Sequence, residues 1–240
     1  MTQTGKKEQV RNMFDNIARK YDFLNHFLSL GIDLYWRRVF VKQIKKNQPK
    51  KILDIATGTG DVAIAIARKM PETHIIGADI SKNMLNIGKE KILKKKLQNN
   101  ISMVLGDSES LEYENNFFDA VTVAFGVRNY ENLVKGLKEM YRVTKNGGHV
   151  HILEFSKPRF FPFKQIFNFY FSKILPRFGK KVSKDDQAYS YLPESVQKFP
   201  DGIEFLKILE SVGYYNTHQI KLTFGICTIY SGEKRSTPSV

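Results

Sequence analysis

Residues 51–61 read Lys51-Ile-Leu-Asp-Ile-Ala-Thr-Gly-Thr-Gly-Asp61, a short apolar run that ends in a glycine-rich turn. Lys51 to Ile55 has the length and side chains of a buried strand. Gly60 to Met70 follows as a helix with Val62, Ile64, Ala65 and Ile66 apolar. Gly58 and Gly60 let the backbone turn tightly and come close to a ligand. Such a strand–turn–helix unit lies at the carboxyl edge of a parallel sheet, where doubly wound folds bind nucleotides. Alone, the turn suits a dinucleotide, a methyl donor or chain geometry equally. The dinucleotide fingerprint has a third glycine where Ala63 stands, a change its looser form tolerates, so a nicotinamide enzyme is disfavoured and stays an open alternative.

Working outward from this unit, strands and helices alternate. His74 to Ala78 reads as a second strand, Ser81 as the N-cap of a helix running to about Lys96, and Ile101 to Leu105 as a third strand. Phe118 to Ala124 is a fourth strand and Asn132 to Val143 a helix. Lys145 to Gly148 reads as a turn before the strand His149 to Phe155. Asp201 to Val212 is helical, and Tyr214 to Leu222 and Ile226 to Ser231 are two strands that meet near Gly225. The tail from Glu233 to Val240 is expected to fray. Before the first strand, Val10, Phe14, Ile17, Ala18 and Tyr21 recur at helical spacing, and Leu34 to Ile44 forms a second helical stretch. This order predicts an α/β fold: a doubly wound, mostly parallel sheet of seven strands with helices on both faces. The two C-terminal strands favour the methyltransferase version of that sheet, which ends in an antiparallel hairpin.

Two acids sharpen the reading of the turn. Asp79 ends the second strand about 20 residues after the loop, where a carboxylate accepts hydrogen bonds from both ribose hydroxyls. Asp107 follows the third strand in Gly106-Asp-Ser108, where a carboxylate beside an apolar slot can hold an adenine amino group. The bland alternative for each is a solvated strand end or a helix cap. That alternative weakens when all three features fall at successive strand ends.

The chain resembles the quinone-biosynthesis C-methyltransferases that act on demethylmenaquinone and on polyprenyl-methoxybenzoquinol. The matching stretches are Tyr21-Asp-Phe-Leu-Asn25 with Ser29-Leu-Gly31 and Trp36-Arg37, the loop Asp54 to Asp61, Phe125-Gly-Val-Arg-Asn129 and Glu154-Phe-Ser-Lys-Pro158. Ala188-Tyr-Ser-Tyr-Leu-Pro193 and Phe199-Pro200 extend the match over nearly the whole chain. The resemblance implies a class I, Rossmann-like methyltransferase domain over residues 1–240, with a helical lid at 1–50 and a helical acceptor- or membrane-facing insertion at 157–200. It also implies S-adenosyl-L-methionine as methyl donor, bound by Gly58, Thr59, Gly60, Asp79, Asp107 and Ser108. The pair Asp107-Ser108 is a variant of the family's usual Asn-Ala. Ala124, serine in some relatives, brings no hydroxyl here.

The implied reaction is C-methylation of a prenylated quinol, with demethylmenaquinol to menaquinol the leading case and a polyprenyl-methoxybenzoquinol the alternative. A non-catalytic membrane-surface protein is the rival from another class. Removing the phenolic proton of such an acceptor pushes electron density onto the neighbouring ring carbon. The protein must align that carbon with the methyl group, stabilise the phenolate and exclude water. Arg128 is expected to stabilise the phenolate and Asn129 to orient the ring. The competing reading has both side chains capping a helix or binding backbone carbonyls. Tyr21 and Asp22 are expected to close over the donor, while His151, a tempting base, falls inside a strand.

Composition bounds the partners. Formal net charge is +14 over 240 residues, which suggests an anionic partner or simply a lysine-rich surface. Lys157 to Lys184 is aromatic, basic and free of acids, a composition suited to an anionic membrane surface or to lining a pocket for a prenyl tail. Its aromatic residues lie too densely for spaced base platforms, so nucleic acid is the disfavoured partner. A single cysteine, Cys227, leaves no internal disulfide and no cysteine-cluster metal site. The polar first twenty residues carry no signal-peptide pattern. The expectation is a cytoplasmic protein, peripheral at the inner face of the cell membrane.

Overall fold

The computed structural model describes residues 5–29, 31–174 and 186–235. Seven strands form one sheet: β1 Lys51–Ile55, β2 His74–Asp79, β3 Ile101–Leu105, β4 Phe118–Ala124, β5 Thr144–Phe155, β6 Tyr214–Leu222 and β7 Cys227–Lys234. Their order is β3-β2-β1-β4-β5-β7-β6. The first five are parallel, and β7 runs antiparallel between β5 and β6. The order reverses between β1 and β4, so connections leave these two strands in opposite directions and open a crevice at their carboxyl ends.

Alternation along the strands divides the core in two. Ile52, Ile75, Ala120 and Leu153 pack with Trp36, Phe40 and Ile66 under α2 Ile32–Lys45, α3 Asp61–Lys69 and α4 Lys82–Lys94. Leu53, Val121, Val150 and Ile152 face the opposite layer, with Leu137 and Met140 of α5 Leu133–Val143 and Phe205 and Leu209 of Ile203–Ser211. Both faces are thus covered, which is why β1 and β4 read as continuous apolar runs. Ser81 caps α4 as expected, its hydroxyl accepting from the Met84 N–H at 3.2 Å.

Three additions stand outside this frame. Helix α1, Lys6–Leu28, lies across the carboxyl edge and buries Val10 and Ala18. Helix α6, Phe163–Phe169, continues into a π-helical turn, Tyr170–Ile174. Helix α7, Asp186–Lys198, tolerates Pro193 in its interior and leads into α8, Ile203–Ser211. The rest of the basic aromatic segment, 175–184, and the last residues, 236–240, lie outside the described residues.

Two boundaries differ from the sequence reading. Lys145 to Gly148 is not a turn between elements. β5 already begins at Thr144 opposite Phe118, and His149 then pairs with Ala120, so these residues form a bulge within the strand. Gly147 takes a φ of 73° there, and a side chain on Gly148 would meet the carbonyl oxygens of Asp119 and Lys145 at 2.8 Å. Glu233 and Lys234, read as fraying tail, are the last residues of β7. Lys234 is buried because its ammonium reaches the Tyr141 carbonyl at 2.8 Å and the Arg142 carbonyl at 3.3 Å, at the C-terminal end of α5 where the helix dipole favours a cation.

Gly148→Ala is predicted to destabilise the protein by about 1–3 kcal/mol, because the added methyl meets fixed backbone rather than a mobile side chain. Denaturant unfolding checks this, and an unchanged midpoint would contradict the bulge geometry.

Candidate active site

The crevice is built from the loop after β1 upward. Gly58 and Gly60 have φ of 56° and 79°, values that glycine adopts without strain. Thr57 turns its hydroxyl back to Asp54 at 2.6 Å, and Thr122 of β4 donates to the other oxygen of the same carboxylate at 2.7 Å. Asp54 is thereby sealed beneath the loop. Burial pushes its carboxyl up to about 6, against the pull of the two hydroxyls.

Asp79 ends β2 and accepts the Gly58 N–H and the Ser81 N–H, both at 2.8 Å. Burial raises its carboxyl above the usual range while these backbone bonds oppose the rise. Asp107, beyond β3, accepts the Glu109 N–H at 2.9 Å and the Lys7 ammonium at 2.7 Å. A pocket of about 690 Å³, counting its open mouth, spans these strand ends. Gly58, Asp79, Asp107, Ser108 and Asn129 line it, so five of the eight residues expected from sequence meet there. Ile80 and Met84 supply an apolar wall, and Val10, Phe14 and Tyr21 of α1 cover it.

The other three are placed differently. Gly60 caps α3 and does not line this pocket. Thr59 is buried, with its hydroxyl donating to Asp22 at 2.6 Å and accepting from Lys91 at 3.0 Å. It belongs to a chain of charges that links Asp22, Lys91, Asp61, Arg37 and Asp33, and so ties α1 and α2 to the loop. Arg128 lines a second, adjoining cavity.

That cavity encloses about 1550 Å³ including its mouth. Its walls are mostly apolar, with Trp36, Phe155, Phe167, Phe171 and Leu192 among them. Phe14, Tyr21 and Phe125 line both spaces and form a shared wall. Asn129 stands on one side of this wall and Arg128 on the other. The Arg128 guanidinium is held at 2.7 Å from Glu154 at the end of β5, and it also donates to the Phe125 carbonyl at 2.5 Å. Tyr191 of α7 donates to the Asn129 side-chain carbonyl at 3.0 Å.

Lys7, Glu154 and Tyr191 were not singled out from sequence. Glu154 and Tyr191 fall within quoted motifs, and an acid closing an apolar strand was a usable signal. Lys7 carried none. His151 is buried within the sheet, its Nδ1 at 2.9 Å from the Ser231 hydroxyl, and burial lowers its imidazole to about 3. It is a buried, neutral sheet histidine whose Nε2 has no hydrogen-bond partner, and it lines neither the donor pocket nor the acceptor cavity.

The chemistry of the donor pocket fits a nucleoside carrying a charged side chain. Two carboxylates flank an apolar slot, and a glycine with positive φ presents bare backbone beside Asp79. With the strand order, these features define a class I S-adenosylmethionine-dependent methyltransferase. The fold aligns with the [4+2]-cyclase SpnF at a TM-score of 0.71 and 14% identity, covering 98% of each chain. That likeness shows the architecture alone. The family is shown by sequence: residues 1–234 match the ubiE/COQ5 methyltransferase family, and the chain belongs to it. It is 50% identical over 229 residues to the demethylmenaquinone methyltransferase of Bacteroides fragilis, covering 95% of this chain and 94% of the relative. It is 48% identical over 232 residues to the ubiquinone/menaquinone biosynthesis C-methyltransferase UbiE of Geotalea daltonii, covering 96% and 98%. The protein is an S-adenosylmethionine-dependent methyltransferase.

Asp54 yields a pH prediction. Its folded pKa, about 6, exceeds the value of 3.8 for a free side chain. Its stabilising contribution is therefore fully present below about pH 3.8 and is lost as pH rises through 6. Relative to Asp54→Asn, the wild type should lose about 3 kcal/mol between pH 4 and 7. Thermal melts across that range check this, and parallel curves would contradict it.

Proposed function

We propose that this enzyme methylates the ring carbon of demethylmenaquinol, giving menaquinol. The observation that carries the reading is the shared border: a carboxylate-bearing pocket for the donor and a large apolar cavity, both lined by Phe14, Tyr21 and Phe125. A flat quinol with a prenyl tail suits the second space in both size and polarity. The name of the Bacteroides fragilis relative supports a naphthoquinol, and that of the Geotalea daltonii relative supports a polyprenyl-benzoquinol as the second reading.

Bound S-adenosylmethionine supplies an electrophilic methyl group. In the reading proposed here, Gly58 offers backbone to the donor, Asp79 accepts its ribose hydroxyls, and Asp107 with Ser108 accepts its adenine amino group. Thr59 and Gly60 act indirectly, by holding the loop against α1 and α3. Helix α1 forms the lid, fastened through Lys7 to Asp107 and through Asp22 to Thr59 and Lys91, while α2 packs into the core on one face of the sheet. On the acceptor side, Arg128 stabilises the phenolate oxygen. A guanidinium stays protonated, so its role is electrostatic. Asn129 lines the donor pocket and not the acceptor cavity, so it orients the ring only through Tyr191, which lines that cavity and donates to Asn129. Phe167, Phe171 and Leu192, from the described parts of the segment 157–200, enclose the tail.

The same segment supports contact with an anionic membrane at the inner face of the cell membrane. Phe160, Phe161, Ile166 and Phe169 are exposed, as is Phe224 from the neighbouring loop. Lys164, Arg159 and Lys221 are exposed in the same region, and Ile166 also lines the acceptor cavity. Aromatic rings flanked by cations suit an anionic interface. Among the described residues no helix is long and apolar enough to cross a membrane.

Incubation with a deuterated methyl donor and demethylmenaquinol should yield the ring-methylated product by mass spectrometry, and an unchanged quinol pool would overturn the reading. Arg128→Ala should lower turnover by roughly 10²–10³ with little change in donor affinity. Full activity of that variant would remove the arginine from the reaction. Phe160→Ser with Phe161→Ser should weaken binding to phosphatidylglycerol vesicles about tenfold or more, and equal binding would refute the docking face.

A further inference from the structure

Glu154 is fully buried at the carboxyl end of β5. One of its oxygens accepts from the Arg128 guanidinium at 2.7 Å and from the Phe155 N–H at 2.8 Å. The other oxygen lies 3.4 Å from the Arg128 N–H. The carboxylate therefore grips Arg128 by both side chain and backbone. On the guanidinium, Nη1 is consumed by Glu154 and by the Phe125 carbonyl, whereas Nε is buried and has no partner. Arg128 itself lines the acceptor cavity, so its pairing with Glu154 fixes a cation in that cavity's wall. The opposite charge on Glu154 also offsets the cation, so the acceptor oxygen meets an oriented donor rather than a full free charge.

We propose that Glu154 is the positioning residue of the acceptor site, fixing the Arg128 guanidinium in the cavity wall beside the quinol oxygen and setting the pH at which that oxygen ionises. This rests on the phenolate-stabilising role of Arg128 proposed above. Glu154 touches neither substrate and acts only through the arginine.

The two ideas fail separately in a double-mutant cycle of Arg128→Gln, Glu154→Gln and both together, assayed with a short-prenyl demethylmenaquinol in detergent. Glu154→Gln should lower kcat about tenfold or more, with the donor Kd within about twofold of wild type. The acid limb of its pH–rate profile should move to lower pH, because the arginine's uncompensated charge favours the phenolate. The double variant should be no slower than Arg128→Gln alone. It also removes both buried charges, so it keeps the comparison available if Glu154→Gln does not fold. If Arg128→Gln is slow and the Glu154 loss adds to it, or if the acid limb of Glu154→Gln stays in place, the positioning role is overturned. If Arg128→Gln runs at the wild-type rate, the reading beneath it falls instead.

Discussion

Two backbone N–H groups, of Gly58 and Ser81, converge on the carboxylate of Asp79. This meeting fixes the β1 loop against the end of β2, one strand from the β1–β4 crevice where the sheet order reverses. The loop needs glycine at positive φ to present its N–H there, and the carboxylate is poorly hydrated, so the bonds are stronger than they would be in water. Once this corner is set, the helix following the loop, the cap of α4 and the floor of the donor pocket are all in place. Helix α1 then fastens to the same corner: its Asp15 accepts the Ser81 hydroxyl at 2.6 Å, and its Asp22 accepts that of Thr59 at 2.6 Å.

Much of this was legible in the sequence, for reasons that can be named. A strand buried on both faces is a mostly apolar run, so β1 and β4 announce themselves, while β3 at the sheet edge alternates buried and exposed residues. Asp79 was readable because its distance from the glycine turn is fixed by one helix and one strand. The bulge in β5 was not, since Gly147 and Gly148 look like a chain reversal. Only pairing with β4 turns them into a kink within one strand. The end of β7 was missed because Lys234 looks like tail chemistry until its ammonium is seen at the end of α5.

The site was legible to a different depth on its two sides. Donor-side carboxylates sit at strand ends and follow from topology. The direction of the Thr59 hydroxyl depends on Lys91 and Asp22, which no local pattern links to it. On the acceptor side, Arg128 and Asn129 were named from one motif, but their behaviour depends on Glu154 and Tyr191 from two others. The competing expectation, that both bind backbone carbonyls, holds in part: Arg128 does donate to the Phe125 carbonyl. It does so while lining the cavity, so the structural and functional readings are not exclusive.

The arrangement as a whole makes one geometric demand. A reacting carbon and a methyl group must face each other through the ring of side chains at Phe14, Tyr21 and Phe125. A crystal structure with S-adenosylhomocysteine and a short-prenyl demethylmenaquinone tests this most directly. The account predicts adenosine between Asp79 and Asp107, the sulfur at that ring, and the quinone ring in the apolar cavity beside Arg128. A nucleoside lodged elsewhere, or a quinone separated from the sulfur by closed protein, would contradict it.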